Sequence, residues 1–245
     1  MIIQARMGST RLPGKVLKDI VGKPMLWHLI NRLKLSKEIN EIILAIPDTK
    51  ENNVLEKFAK ENKVKYFKGS EQDVLSRYFK AAKKFKCAII VRITSDCPLI
   101  DPEIVDLVIK KHFDSGADFA ANFLEGEKTK SIERTFPKGT EVEVFNFATL
   151  EKAYKQAKKQ YQKEHVDPYI FEHPEIFKIA TVKNTENISH FRWTVDERKD
   201  LELVREIYKK LYKKDKVFLM EDIVRLFKKY PELMETNKDV KHKEI

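Results

Sequence analysis

The strongest constraint on this chain is an alternation, in its first half, between short apolar runs and amphipathic stretches of helical period. Ile42-Ile43-Leu44-Ala45-Ile46 is apolar at every position, as a strand covered on both faces requires. Residues 51–62 follow with Val54, Leu55, Phe58 and Ala59 at helical spacing. Val64-Lys65-Tyr66-Phe67 reads as a shorter strand, and residues 73–85 as a helix with Val74, Leu75, Tyr78, Phe79 and Ala82 on one side. Ala88-Ile89-Ile90-Val91-Arg92-Ile93 is the strongest strand signal of the chain. Asp101-Pro102-Glu103 then joins an N-cap, a proline at the first helical position and an early acid. The order βαβαβα needs crossover connections. The expected fold is therefore α/β, a doubly wound and mostly parallel sheet with helices on both faces.

Beyond residue 115 the pattern changes. Residues 117–124 and 140–147 read as strands, separated by an irregular charged stretch at 125–138. Helices are expected at 148–160, 164–172, 200–212 and 221–229, a strand at 176–182, and a frayed charged end at 238–245. The chain of 245 residues suits one domain, 1–245. Its first lobe would take about residues 1–115 and 190–230, and a smaller mixed lobe about 116–189.

Composition excludes several classes. Hydrophobic residues at 42% and charged residues at 35% support a packed soluble core. No apolar run nears the roughly 18 residues of a membrane span. The opening Met1-Ile2-Ile3-Gln4-Ala5-Arg6 lacks a signal peptide's basic stretch and apolar core, so a cytoplasmic protein is expected. Cys87 and Cys97 lack CxxC spacing and are expected to be buried thiols, neither a disulfide framework nor a metal site. The net charge is +10, but the lysine pairs interleave with apolar positions as on solvated helix faces. A small anionic ligand would use that field as well as a nucleic acid.

The densest constellation is Arg6-Met7-Gly8-Ser9-Thr10-Arg11-Leu12-Pro13-Gly14-Lys15, directly after the apolar start. Its cations, glycines and hydroxyls suit a polyphosphate, because glycines admit backbone N–H groups to oxygens while Arg and Lys neutralise charge. It is no Walker A loop: five residues separate Gly8 from Gly14, and Val16 stands where Ser or Thr would hold magnesium.

Together with Gly22-Lys23-Pro24-Met25, this stretch resembles the nucleotide-binding signature of the sugar cytidylyltransferases: CMP-KDO synthetase, CMP-sialate synthetase and above all the spore coat polysaccharide biosynthesis protein F family. Further matching segments run in order: Gly69 to Tyr78, Arg92 to Ile100, Arg134 to Gly139, Glu141 to Phe145, Glu164-His165-Val166 and Arg192 to Asp196. The resemblance implies a nucleotide-diphospho-sugar transferase-like fold with CTP at the carboxyl ends of the strands. It also implies a reaction in which an acceptor oxygen attacks the α-phosphorus of CTP and pyrophosphate leaves.

By that resemblance Arg6, Arg11 and Lys15 hold the triphosphate, with Ala5, Gly8 and Ser9 alongside, and Lys15 answers the charge that develops. Asp96 and Asp196 match the magnesium site. Asp96 otherwise reads as a turn residue before Pro98, and Asp200 competes with Asp196 as the matched acid. Asp48, Ser70, Asp73, Arg77 and Thr94 fall near the expected base pocket, with an Asp73–Arg77 surface pair an equal reading. Arg134, Glu141, Glu143, His165 and Arg192 are the candidate acceptor contacts. The two arginines suit an acid sugar's carboxylate, Glu141 and Glu143 share one face of a strand, and His165 reads as a structural histidine near a helix start ahead of a base. Trp27 and Trp193 read as core anchors.

Two departures stand out. The chain starts at Met1, close to its first strand, which is therefore short; the expectation is either a true start upstream or a weakened sheet edge. Lys138 stands where the family often has Asp. The expected function is magnesium-dependent transfer of CMP to an acid sugar or related polyol for a surface glycan, by a homodimer. A nucleotide-sugar glycosyltransferase and a nucleic-acid-binding protein with a degenerate enzyme fold are the alternatives. Lys15→Ala is expected to abolish turnover with little loss of stability.

Overall fold

The computed structural model describes residues 1–126, 129–214 and 216–240, with 124–126 and 129–133 described by backbone only. Its strands are β1 Ile2–Gln4, β2 Asp19–Ile20, β3 Lys23–Pro24, β4 Ile43–Pro47, β5 Lys65–Gly69, β6 Ile89–Thr94, β7 Phe119–Ala121, β8 Phe123–Gly126, β9 Thr129–Arg134, β10 Glu143–Asn146 and β11 Ile179–Thr181. Its helices are α1 Met25–Leu33, α2 Asn53–Glu61, α3 Val74–Lys84, α4 Pro102–Ser115, α5 Phe147–Gln156, α6 Gln160–His165, α7 Pro168–Phe171, α8 Arg198–Leu211 and α9 Met220–Lys229.

Seven strands form one sheet in the order β11-β7-β10-β6-β1-β4-β5, and β10 alone runs against its neighbours. The expected mostly parallel sheet is present. The weakened edge is not: β1 pairs with β4 on one side and β6 on the other, and Ile2 and Ile3 are fully buried. A short strand suffices inside the sheet because both its edges are hydrogen-bonded.

The period of two in each strand sorts the core into two layers. Ile3, Leu44, Ile46, Val91, Ile93, Ala120 and Val144 face a layer built by α1, α2, α4, α8 and α9. Ile2, Ile43, Ala45, Ile90, Phe119, Ala121 and Phe145 face the opposite layer, built by α3, α5 and α7. Local chemistry sets the helix starts. Asp73 accepts from Ser76 N–H at 2.8 Å, and Asp101 accepts from Glu103 N–H at 2.8 Å with Pro102 next to it.

The second half departs from expectation in several places. The stretch 117–124 splits at buried Asn122, whose amide donates to Thr140 O at 2.7 Å and accepts from Val142 N–H at 2.9 Å. Those bonds replace ladder bonds, and the chain turns out of the sheet into the hairpin β8/β9. The stretch 125–138, expected to be irregular, therefore contains a strand. The expected helix at 164–172 is instead the end of α6 and all of α7, broken at Val166 with φ +78°. The expected frayed end lies outside the described residues from 241 on. Cys97 is buried and Cys87 half-buried; Trp193 is fully buried, and half-buried Trp27 carries the Lys23 ammonium 5.5 Å from its ring.

Two features tie the halves together. Lys138 N–H donates to Phe191 O at 3.0 Å and Trp193 N–H donates to Lys138 O at 2.7 Å. Gly139 follows at φ +95°, where a Cβ would lie 2.4 Å from Thr194 N. In the sheet, Arg92 and Glu143 oppose each other as a buried ion pair, with Asp167 3.7 Å from the same guanidinium.

Gly139→Ala should cost well over ~1 kcal/mol, since backbone strain and overlap add, as a lowered urea midpoint will show. Arg92→Ala should cost about 3–5 kcal/mol in the same measurement, because it leaves two acids buried without their counter-charge.

Candidate active site

The chain leaves β1 for β4 and β5 on one side and returns to β6 on the other. The carboxyl ends of β1 and β6 therefore open a crevice at a topological switch point, where open α/β sheets bind ligands. The basic loop leaves β1 at this point, and Ser95 and Asp96 follow β6.

The loop folds around one carbonyl. Met7 O accepts from Ser9 N–H at 2.8 Å and Gly14 N–H at 3.0 Å, while Met7 N–H donates to buried Asn52 Oδ1 at 2.8 Å. The Ser9 N–H is thus committed within the loop and is not a free phosphate donor. Ser9 Oγ accepts from Leu12 N–H at 3.3 Å. Gly14 takes φ +67° and turns the chain into a 3-10 turn, Lys15–Leu17, which carries Lys15 inward. Arg6 stays exposed and lines a small cleft with Glu71, Gln72, Gln160 and Glu164.

Lys15 is the junction of the site. Its Nζ donates to Val195 O at 2.7 Å, Asp96 Oδ2 at 3.0 Å and Asp196 Oδ1 at 3.0 Å. These acceptors match the three N–H bonds of an ammonium. Burial opposes its charge, but the two carboxylates outweigh burial and hold its pKa above the ordinary lysine value. Burial likewise opposes ionisation of Asp96, and Lys15 with the Thr94 hydroxyl overcomes it and holds that carboxyl below its usual range. Arg11 reaches the same Asp196 Oδ1 at 3.0 Å and Glu197 at 3.7 Å.

Asp196 and Asp200 separate by environment. Asp200 is fully buried; its Oδ1 accepts from Arg192 Nε at 2.9 Å and Asn237 Nδ2 at 2.8 Å. Its Oδ2 accepts from Arg192 Nη2 at 3.1 Å and from the N–H groups of Asp196 and Glu197 at 2.9 and 3.0 Å. Those lone pairs are in use within the protein. Asp196 faces Lys15 with Oδ1 and accepts from Arg192 Nη2 at 2.9 Å with Oδ2.

The residues assigned to the base pocket act mostly on one another. Asp73 N–H donates to Ser70 Oγ at 3.0 Å. Arg77 is buried and donates to Ser70 O, so it forms no surface pair with Asp73; burial pushes its pKa down to about 10. Asp48 pairs with Lys68 on neighbouring β5 at 3.0 Å. Thr94 Oγ1 lies 3.2 Å from Cys97 Sγ, and Ala5 is buried with its N–H on Ala45 O at 3.2 Å.

Of the acceptor candidates, Arg192 belongs to the carboxylate network. Arg134 pairs with Glu141, which also accepts from Gly139 N–H at 2.8 Å. Glu141 lies before β10, so it does not share a strand face with Glu143 as expected. Glu143 is buried against Arg92; burial pushes its pKa up, and the guanidinium works against that rise. An acid within Glu-Val-Glu-Val-Phe and an arginine within Ile-Ile-Val-Arg-Ile are the sequence signal for that pair. His165 is half-buried at the end of α6, beside Asp167. Asn52 and Asn237, which hold the loop and Asp200, carry no sequence signal.

Asp96 and Asp196 converge on the point that Lys15 Nζ holds. Two carboxylates at one point suit a hard divalent cation that keeps waters in its other positions, so the donor set fits magnesium. No group of three or more His, Cys, Asp or Glu side chains with metal-binding geometry is present among the described residues.

The cytidylyltransferase family model matches residues 1–245. Spore coat polysaccharide biosynthesis protein SpsF of Bacillus subtilis is 33% identical over 232 residues, 92% of each chain. The 3-deoxy-manno-octulosonate cytidylyltransferase of Geobacter sulfurreducens is 33% identical over 108 residues, 44% of this chain and 42% of that protein. A cytidylyltransferase structure from Leptospira borgpetersenii aligns over 98% of both chains at 34% identity, with a TM-score of 0.87. Loop, crevice and paired carboxylates thus occur in a chain that belongs, over its whole length, to the cytidylyltransferase family.

Proposed function

We propose that this nucleotidyltransferase moves CMP from CTP to a hydroxyl of an acid sugar or related polyol, releases pyrophosphate, and serves the synthesis of a surface glycan. The observation that carries the reading is the meeting of Lys15, from the basic loop, with Asp96 and Asp196 at the switch point. The similarity to SpsF and to a 3-deoxy-manno-octulosonate cytidylyltransferase supports the acceptor class. Family membership favours nucleotidyl transfer over the glycosyltransferase and nucleic-acid alternatives.

The acceptor oxygen forms a bond to the α-phosphorus, the bond to the bridging oxygen of the β-phosphate breaks, and the hydroxyl proton is released. Negative charge grows on the leaving pyrophosphate, so the protein's contribution is positioning and cationic clamping. Arg6 and Arg11 approach the triphosphate from the exposed side of the loop. Lys15 follows from within, and it gives up one of its three oxygen partners to reach a phosphate. Asp96 and Asp196 would hold a magnesium ion, which supplies charge neutralisation at the phosphates when bound. Arg192 keeps Asp196 aligned, and Arg134 with Glu141 borders the acceptor side. Residues 116–189 would form the acceptor and dimerisation side of a cytoplasmic homodimer, as in the family that the motifs resemble.

Thermal unfolding with each ribonucleoside triphosphate and magnesium tests the nucleotide. CTP at about 100 times its dissociation constant should add about 2.7 kcal/mol, and an equal gain with another triphosphate would refute the base. Lys15→Ala should abolish pyrophosphate release. The structure revises the expected stability effect: two carboxylates lose a shared, largely buried partner, so about 1–3 kcal/mol should be lost in urea unfolding. Near-normal turnover of this variant would overturn the site.

A further inference from the structure

We infer that Asn237, on the segment after the last helix, is a positioning residue for the cation-binding carboxylate Asp196. The inference rests on the reading of Asp196 as a magnesium ligand.

Asp196 does not orient itself. Its N–H is held by Asp200 Oδ2 at 2.9 Å, and its Oδ2 is held by Arg192 Nη2 at 2.9 Å. Lys15 and Arg11 reach its other oxygen, Oδ1; the N–H and Oδ2 restraints lead back to Asp200, since Arg192 meets that carboxylate with Nε at 2.9 Å and Nη2 at 3.1 Å. Asp200 stands in the first turn of α8, where an acid ordinarily caps the helix by taking a backbone N–H, as Oδ2 does with Glu197 at 3.0 Å. A cap of that kind needs one oxygen. The other, Oδ1, sits in a fully buried position and takes Arg192 Nε together with Asn237 Nδ2 at 2.8 Å.

Asn237 completes the assembly from the far end of the chain. Its side-chain nitrogen also donates to Arg192 O at 3.0 Å, so the amide's two protons go to the arginine's own backbone and to the arginine's partner. The residue is 5% exposed, and a 3-10 turn at Pro231–Glu235, anchored by buried Leu233, leads into it. Both neighbours are acceptors, so the position demands a neutral side chain with two donors on one atom. Asparagine meets that demand; aspartate would set one carboxylate against another. Partners that orient metal ligands typically change metal affinity when they are removed, by about 10–100-fold.

The test measures Mn2+ binding by paramagnetic water-proton relaxation on the full chain with saturating CTP, for wild type, Asn237→Ala and Asn237→Asp. Both variants should bind Mn2+ about tenfold more weakly or worse, with a parallel rise in the Mg2+ needed for half-maximal turnover. Binding of CTP without metal should stay within about twofold, because the nucleotide loop is untouched. Leu150→Ala, a core truncation in α5 on the opposite layer, should lower stability and leave Mn2+ affinity unchanged. If Asn237→Asp does not fold, Asn237→Ala adds no charge and carries the same test. Folded Asn237 variants with wild-type Mn2+ affinity would overturn the inference. Asp196→Asn separates the two claims. Unchanged Mn2+ affinity in that variant refutes the metal-site reading itself; lost affinity there, with none lost at Asn237, refutes only the positioning role.

Discussion

One ammonium group holds this site together. Asp96 arrives from the end of a central strand and Asp196 from a loop late in the chain, and each points its charge at Lys15. Two partly buried carboxylates side by side repel, and their proximity is stable only with a cation between them. Lys15 supplies that cation within the protein, with Arg11 and Arg192 around it. The same charge balance makes the place suitable for a divalent cation and a polyphosphate: the negative groups are already gathered, and the positive ones stand at its rim.

The sheet brings these parts into range. Because β1 lies inside the sheet between β6 and β4, its outgoing loop and the loop after β6 share one crevice. The late segment around Trp193 is then fastened by backbone bonds to Lys138, and Gly139 lets the two backbones approach more closely than a side chain would allow. Hence the second half of the chain both extends the main sheet through β7, β10 and β11 and delivers the second carboxylate.

Much of this was legible residue by residue. The alternation of apolar runs and amphipathic stretches identified β4, α2, β5, α3 and β6, and Asp73 and Asp101 marked helix starts as local chemistry requires; the alternation did not mark β2, β3 or α1. The basic loop was legible because Arg, Gly and Lys crowd a strand exit. Partnership was less so. Asp73 and Arg77 have the spacing of a surface pair, yet Arg77 turns inward to Ser70 O, since the helix face it occupies is covered. Glu143 looked available because acids usually face water, but its register places it opposite Arg92 inside the sheet. Asn122 offered no warning that its amide would replace strand bonds and open a hairpin.

The sequence by itself determined what depends on neighbours a few residues apart: element type, caps, the glycine-bearing turn of the basic loop, and the family signature that spans the chain. Tertiary structure alone decided which of Asp196 and Asp200 is presented and which is consumed, that Lys15 bridges two acids, and that Asn237 stands behind them. The reason is physical. Local conformation follows from short-range sterics and hydrogen bonds, whereas the availability of a charged group depends on burial and on donors from distant segments, which exist only once the sheet and its two layers have closed around it.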